Sequence, residues 1–125
     1  MASKGLMIAG LASGSGKTMV TLGLLRALAR RGKAPAAGKT GPDYIDPGFL
    51  SAAAGRKAVN LDQFAMSKPL LAHLAADQAG DTLIIEGVMG LFDGASGSAG
   101  SSAALAEALD IPVILVMDIR HTAQT

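Results

Sequence analysis

The stretch "LMIAGLASGSGKTMV", Leu6 to Val20, decides the fold. Leu6-Met7-Ile8-Ala9 is a short unbroken apolar run, the pattern of a strand buried on both faces in a parallel sheet. It leads into the glycine-rich "GLASGSGKT". From Lys17 to Arg31 the spacing then sets Val20, Leu24, Leu25 and Leu28 on one helical face, with Arg26, Arg30 and Arg31 elsewhere. In that context "GSGKT", Gly14 to Thr18, reads as a phosphate loop. Glycines let successive backbone N–H groups converge on phosphate oxygens, and the helix N-terminus adds the positive end of its dipole. Gly14, Ser15, Gly16, Lys17 and Thr18 are therefore candidate residues for the phosphates of a nucleotide, with Lys17 a point charge for the β- and γ-phosphates and the Thr18 hydroxyl a ligand for Mg²⁺. The spacing has one departure from G-x-x-x-x-G-K-[ST]: the position five before Gly16 is Leu11, and the glycine is Gly10.

Working outward, Gly32 follows the last turn of the helix, where a C-terminal stop is expected. "APAAGK", Ala34 to Lys39, is a weakly apolar strand, and Pro47 to Ala54 a short helix with proline at its first position. Asn60-Leu61-Asp62 falls in a connection. Ser67 caps a helix from Lys68 to about Gln78. Thr82 to Ile85 is a second buried strand, Ser101 or Ser102 opens a helix through Leu109, and "IPVILVMD", Ile111 to Asp118, is the strongest strand of all. This alternation predicts an α/β fold, a doubly wound and mostly parallel sheet of the P-loop NTPase type, whose ligands sit at the carboxyl ends of the strands. "IRHTAQT" stops where another crossover helix is expected, so residues 1–125 are read as the N-terminal part of a longer domain.

Composition narrows the classes. The 125 residues suit one modest domain, and half are hydrophobic but only 3% aromatic, so Leu, Ile, Val, Ala and Met must fill the core. The net charge of +1 and the absence of any like-charge run argue against a nucleic-acid partner. There is no cysteine, which removes disulfides, thiolate metal sites and a Cys nucleophile. No apolar run is long enough to span a bilayer and no signal peptide is seen, so a cytoplasmic location without a membrane partner is expected.

The remaining chemistry lies in acids that follow strands. Glu86 closes "DTLIIEG" where a Walker-B-like acid would serve Mg²⁺, and Gly87 is expected to turn the backbone away at once. "KTGPDYIDPGF", Lys39 to Phe49, holds Asp43, Tyr44 and Asp46 between Pro42 and Pro47, and the prolines lower the entropic cost of holding them. With Thr18 and Glu86, these acids form one metal–phosphate site from three strand ends, or they are ordinary turn residues. A hydrolase has little need of a second acidic loop; transfer of phosphate to another substrate does need one. Asp93, beside Leu91 and Phe92, lines a substrate pocket or belongs to a loop whose Leu and Phe plug the core. His73 reads as a surface residue.

The spacing of the phosphate loop resembles the branch that includes dethiobiotin synthetase and the MinD/ParA ATPases, but Ala12 stands where the latter carry a signature lysine. "GLASGSGKT", "KTGPDYIDPGF", "NLDQFAM" and "IIEGVMGLFDG", in that order, resemble the N-terminal domain of the cobyrinic acid / hydrogenobyrinic acid a,c-diamide synthases. The resemblance implies ATP- and Mg²⁺-dependent amidation of the a and c carboxylates of a corrinoid tetrapyrrole acid, cobyrinate or hydrogenobyrinate, through an acyl phosphate. It implies ammonia delivered from glutamine by a C-terminal glutaminase domain, which this chain lacks, so the 125 residues alone are expected to be inactive. It also implies roles. Lys17, Asp43 and Glu86 would be catalytic, and Thr18, Asp46 and Glu86 would hold the metal. Lys39, Tyr44 and Asp93 would face the substrate. A homodimer stands among the expected partners. The rival expectations are dethiobiotin synthetase-like activation of a smaller acid and a MinD/ParA-type switch ATPase.

Overall fold

The computed structural model describes residues 5–43, 45–78, 80–94 and 99–123. Five strands among them, β1 (Gly5–Gly10), β2 (Pro35–Thr40), β3 (Val59–Leu61), β4 (Thr82–Gly90) and β5 (Val113–Val116), form one sheet in the order β3-β2-β4-β1-β5. Every pairing is parallel. Four helices connect them: α1 (Lys17–Arg30), α2 (Asp46–Ala54), α3 (Lys68–Ala76) and α4 (Ser102–Leu109).

Strand alternation sorts the core into two layers. Met7, Ala9, Ala36, Leu83 and Ile85 face α3 and α4, packing on Leu71, Ala75, Leu105 and Leu109. Ile8, Ala37 and Ile84 face α1 and α2, packing on Leu25, Leu50 and Ala54. Burying a Leu or Ile of this kind stabilises the fold by about 1.5–3 kcal/mol. Helices thus cover both faces, and the strand ends bearing the phosphate loop and the acids share one edge, as the sequence predicts.

Four details depart from the sequence reading. The buried stripe of α1 is centred on Thr21 and Leu25, while Val20 is 42% exposed. Thr21 sits in that stripe because its hydroxyl donates to the Lys17 carbonyl 2.7 Å away, so no polar group is stranded. Residues Val59–Leu61 form β3 rather than a connection, paired to Gly38, Lys39 and Thr40; three residues are too few for a period to show. The run predicted to be the strongest strand is the sheet's edge, with Val113, Ile114 and Leu115 36%, 47% and 39% exposed.

The fourth departure shapes the site. β4 does not end at Glu86 but continues to Gly90, and Gly87 does not turn the chain away. Ile8 pairs with Glu86 and Gly10 with Gly90, so two steps along β1 oppose four along β4. The extra residues make a bulge at Gly87–Met89. Gly87 is required there because a Cβ would lie 2.8 Å from the Ser102 hydroxyl and 3.2 Å from the Ile8 carbonyl.

Candidate active site

The phosphate loop takes its shape from two glycines. Gly14 and Gly16 have φ of 75° and 95°, and a Cβ at either would meet nothing within 4 Å. Conformation, not space, demands glycine at both. Gly16 caps α1 without any side-chain hydrogen bond, so the first N–H groups of the helix are left for an anion. Gly10 answers a different need, since a Cβ there would collide with the Ser15 hydroxyl folded back over β1. That is why the glycine stands one position earlier than the common spacing. Lys17 is only 7% exposed, and a buried ammonium calls for an anion.

Beside this loop, a polar cluster is assembled on the α1/α2 face of the sheet. Thr18 donates its hydroxyl to Glu86 Oε1. The Glu86 side chain is fully buried, and its Oε2 lies 3.3 Å from the Lys39 ammonium. That contact is ionic only, for Oε2 accepts no hydrogen bond. Lys39 also pairs with Asp46 Oδ2 at 3.2 Å and donates to the Gly87 carbonyl at 3.1 Å. One cation thus neutralises two carboxylates from different elements, the arrangement that makes burial of such charges tolerable.

The donor set suits Mg²⁺. The Thr18 hydroxyl and the buried Glu86 carboxylate it touches, whose Oε2 accepts no hydrogen bond, are hard oxygen ligands beside a phosphate site. Among the described residues no three His, Cys, Asp or Glu cluster to form a metal site of their own.

The acidic loop divides its labour. Asp43 Oδ1 accepts the N–H groups of Ile45 at 2.8 Å and Asp46 at 3.0 Å, bracing the turn that leads into α2. Partial burial pushes the Asp43 carboxyl up, but these two donors and the Lys39 charge hold it below its ordinary 3.8. Asn60, on the strand not foreseen, donates to the Gly41 and Asp43 carbonyls, each at 3.0 Å, and so fixes the loop from below. Tyr44 lies outside the described residues. Asp93 is not in the cluster; its Oδ2 accepts the Gly90 N–H at 2.9 Å and closes the turn after β4. Leu91 packs against the core, whereas Phe92 is 68% exposed. His73 is exposed, as expected.

The fold and this cluster define a parallel α/β nucleotide-binding domain of the P-loop class. A family profile described as the CobQ/CobB/MinD/ParA nucleotide binding domain matches residues 6–123, and the chain belongs to that family. Curated relatives include proteins named hydrogenobyrinate a,c-diamide synthase from Brucella anthropi, 57% identical over 118 residues, and from Mesorhizobium japonicum, 52% identical over 130 residues. The match covers 92% of this chain and 27% of the Brucella protein, and 100% and 30% for the Mesorhizobium protein. A protein of that name from Rhizobium meliloti is 58% identical over 116 residues, 91% of this chain and 27% of its own. The chain therefore spans little more than a quarter of the length of these relatives.

Proposed function

We propose that this chain is the nucleotide-binding part of a longer cytoplasmic ligase that amidates corrinoid carboxylates at the expense of ATP. The observation that carries the reading is Lys39, a buried ammonium shared by Glu86 and Asp46 within reach of the Thr18 end of the phosphate loop. A nucleotide hydrolase has no use for a second cation held there by acids. An enzyme that presents a foreign carboxylate to the γ-phosphate does. The hydrogenobyrinate a,c-diamide synthases named above supply the substrate class.

In this mechanism Lys17 and the loop N–H groups bind the β- and γ-phosphates, and Lys39, paired with Glu86 and Asp46, holds those two acids at the edge where the substrate carboxylate arrives. A carboxylate oxygen attacks the γ-phosphorus as the bond to the β-bridging oxygen breaks, and ADP leaves with that electron pair. Ammonia then forms a C–N bond at the acyl carbon of the acyl phosphate. Phosphate departs with the C–O pair, and the nitrogen gives up a proton to solvent or phosphate. Glu86 and Thr18 would hold Mg²⁺, which supplies neutralisation of phosphate charge when bound. Asp46 keeps Lys39 aligned, Asp43 holds the loop and assists transfer, and Tyr44 and Asp93 contact the substrate. Glutamine-derived ammonia would come from a further domain.

The test is to incubate the full-length protein with Mg-ATP, ammonia and each of cobyrinate and hydrogenobyrinate, following product mass and ADP together. Amide formation matched by ADP is expected with one acid preferred. ADP appearing at the same rate with no acid present would overturn the reading in favour of a switch ATPase.

A further inference from the structure

A cavity of about 340 Å³ lies on the α3/α4 face of the same edge, across the sheet from the polar cluster. Its walls come from Thr40 and the Gly41–Asp43 loop, from Asp62–Phe64 after β3, and from Val88 and Met89 of the β4 bulge. Among the described residues that line it, the mechanism above uses only Asp43. Three features mark it as built. First, the bulge is clamped, since Ser102 accepts the Val88 N–H at 2.9 Å and donates to the Val88 carbonyl at 3.3 Å. Second, Met89 is held at φ 50°, a conformation that a long side chain rarely adopts and that collects at functional sites. The clamp and the bulge turn Val88 and Met89 into the cavity wall, as bulges beside active sites do. Third, the Thr40 hydroxyl lies in the wall, buried and without a hydrogen-bond partner.

The lining also says what the occupant is like. Phe64 and Met89 are 70% and 45% exposed, apolar surface at the mouth of a cavity. Phe64 is placed deliberately, its N–H bound by Asp62 Oδ1 at 2.9 Å and its ring lying where Gly100 leaves no room for a Cβ. Asp43 and Asp62 line the cavity too, so a carboxylate is repelled from it. An apolar group is welcomed there and an anionic arm is driven off. Pockets for small molecules run from roughly 300 to 1,000 Å³, so this one takes an edge of a large ring rather than the whole.

We propose that the cavity seats the apolar rim of the macrocycle next to the side chain being activated, with Phe64 and Met89 as specificity-determining residues. This rests on the corrinoid reading above. The experiment measures equilibrium binding of cobyrinate and hydrogenobyrinate to the full-length protein, through the macrocycle's visible absorption, for the unaltered protein, Phe64→Ser and Met89→Gly. Both variants suit the fold: Phe64 is largely exposed, and glycine adopts φ 50° without strain. Expected is a loss of corrinoid affinity of about tenfold or more in each, with ATP affinity and thermal midpoint held. Wild-type affinity for the acid in both variants would overturn this inference and leave the proposed function standing. Failure of the unaltered protein to bind either acid would overturn both.

Discussion

At its carboxyl edge the sheet has two faces with opposite chemistry. On the α1/α2 face, Thr18, Lys39, Asp46 and Glu86 crowd into an ionic cluster in which a fully buried carboxylate and a nearly buried ammonium satisfy one another. On the α3/α4 face, Phe64, Val88 and Met89 surround an open apolar cavity. Adjacent residues supply both, because Lys39 and Thr40 point to opposite sides of a strand. The cluster is rigid and intolerant: remove one charge and another is stranded. The cavity is held by a bulge and a serine clamp, so its contents change at little cost to the fold. In the proposed function such a division would let one edge bind an invariant phosphate on one side and a particular substrate on the other.

The sharpest way to break this contrast is Lys39→Met. It leaves Glu86 buried without its cation, and a loss of about 3–5 kcal/mol of stability is expected in denaturant unfolding. Amidation by the full-length protein should fall about 10²–10³-fold. Pairing it with Glu86→Gln sharpens the comparison. With both charges gone the double variant should recover most of the stability while staying inactive, and a double variant no more stable than Lys39→Met would show that the two side chains are not coupled.

Ser102→Ala tests the other face. It strips the partner from the Val88 N–H and should cost about 1–3 kcal/mol. Because the bulge relaxes, the KM for the corrinoid acid should rise while that for ATP stays near its original value. A parallel rise in both would mean that the clamp serves the whole edge rather than the cavity.

The smallest effect concerns pH. Asp43 is held below its ordinary 3.8 in the folded chain, so on acidification the unfolded chain takes up its proton first. The stability that Asp43 contributes is present in full above 3.8 and is lost as pH falls from there through the lower folded value. Asp43→Asn keeps the acceptor oxygen and loses only the charge, so it should be less stable than the parent at neutral pH by about 0.5 kcal/mol, and the two should converge in acid. A stability gap that stays constant down to pH 2 would deny the Asp43 charge that role.

The two faces also differ in how legible they were. Gly14 to Thr18 announces itself because phosphate binding needs contiguous residues with special backbone angles, and Glu86 because an acid ending an apolar strand needs a partner. Asp43 and Asp46 stood out as charges held between Pro42 and Pro47, and Lys39 as the charge that closes the strand before them. Which acid meets which cation was not written in the chain, and Asp43 and Asp93 turn out to bind backbone N–H groups of their own loops. The cavity was less legible still. It depends on β3, a strand of three residues, and on Ser102, fourteen residues beyond the Val88 that it holds.

By itself, the sequence determined the parallel α/β class, the phosphate loop, and the edge on which the chemistry gathers, because local periodicity and turn chemistry act within a few residues. Tertiary structure alone decided that Thr18 touches Glu86, that Lys39 is divided between two carboxylates, and that β4 bulges rather than turns. Those outcomes depend on strand register and on side chains far apart in the chain, where packing and the pairing of buried polar groups outweigh any local preference.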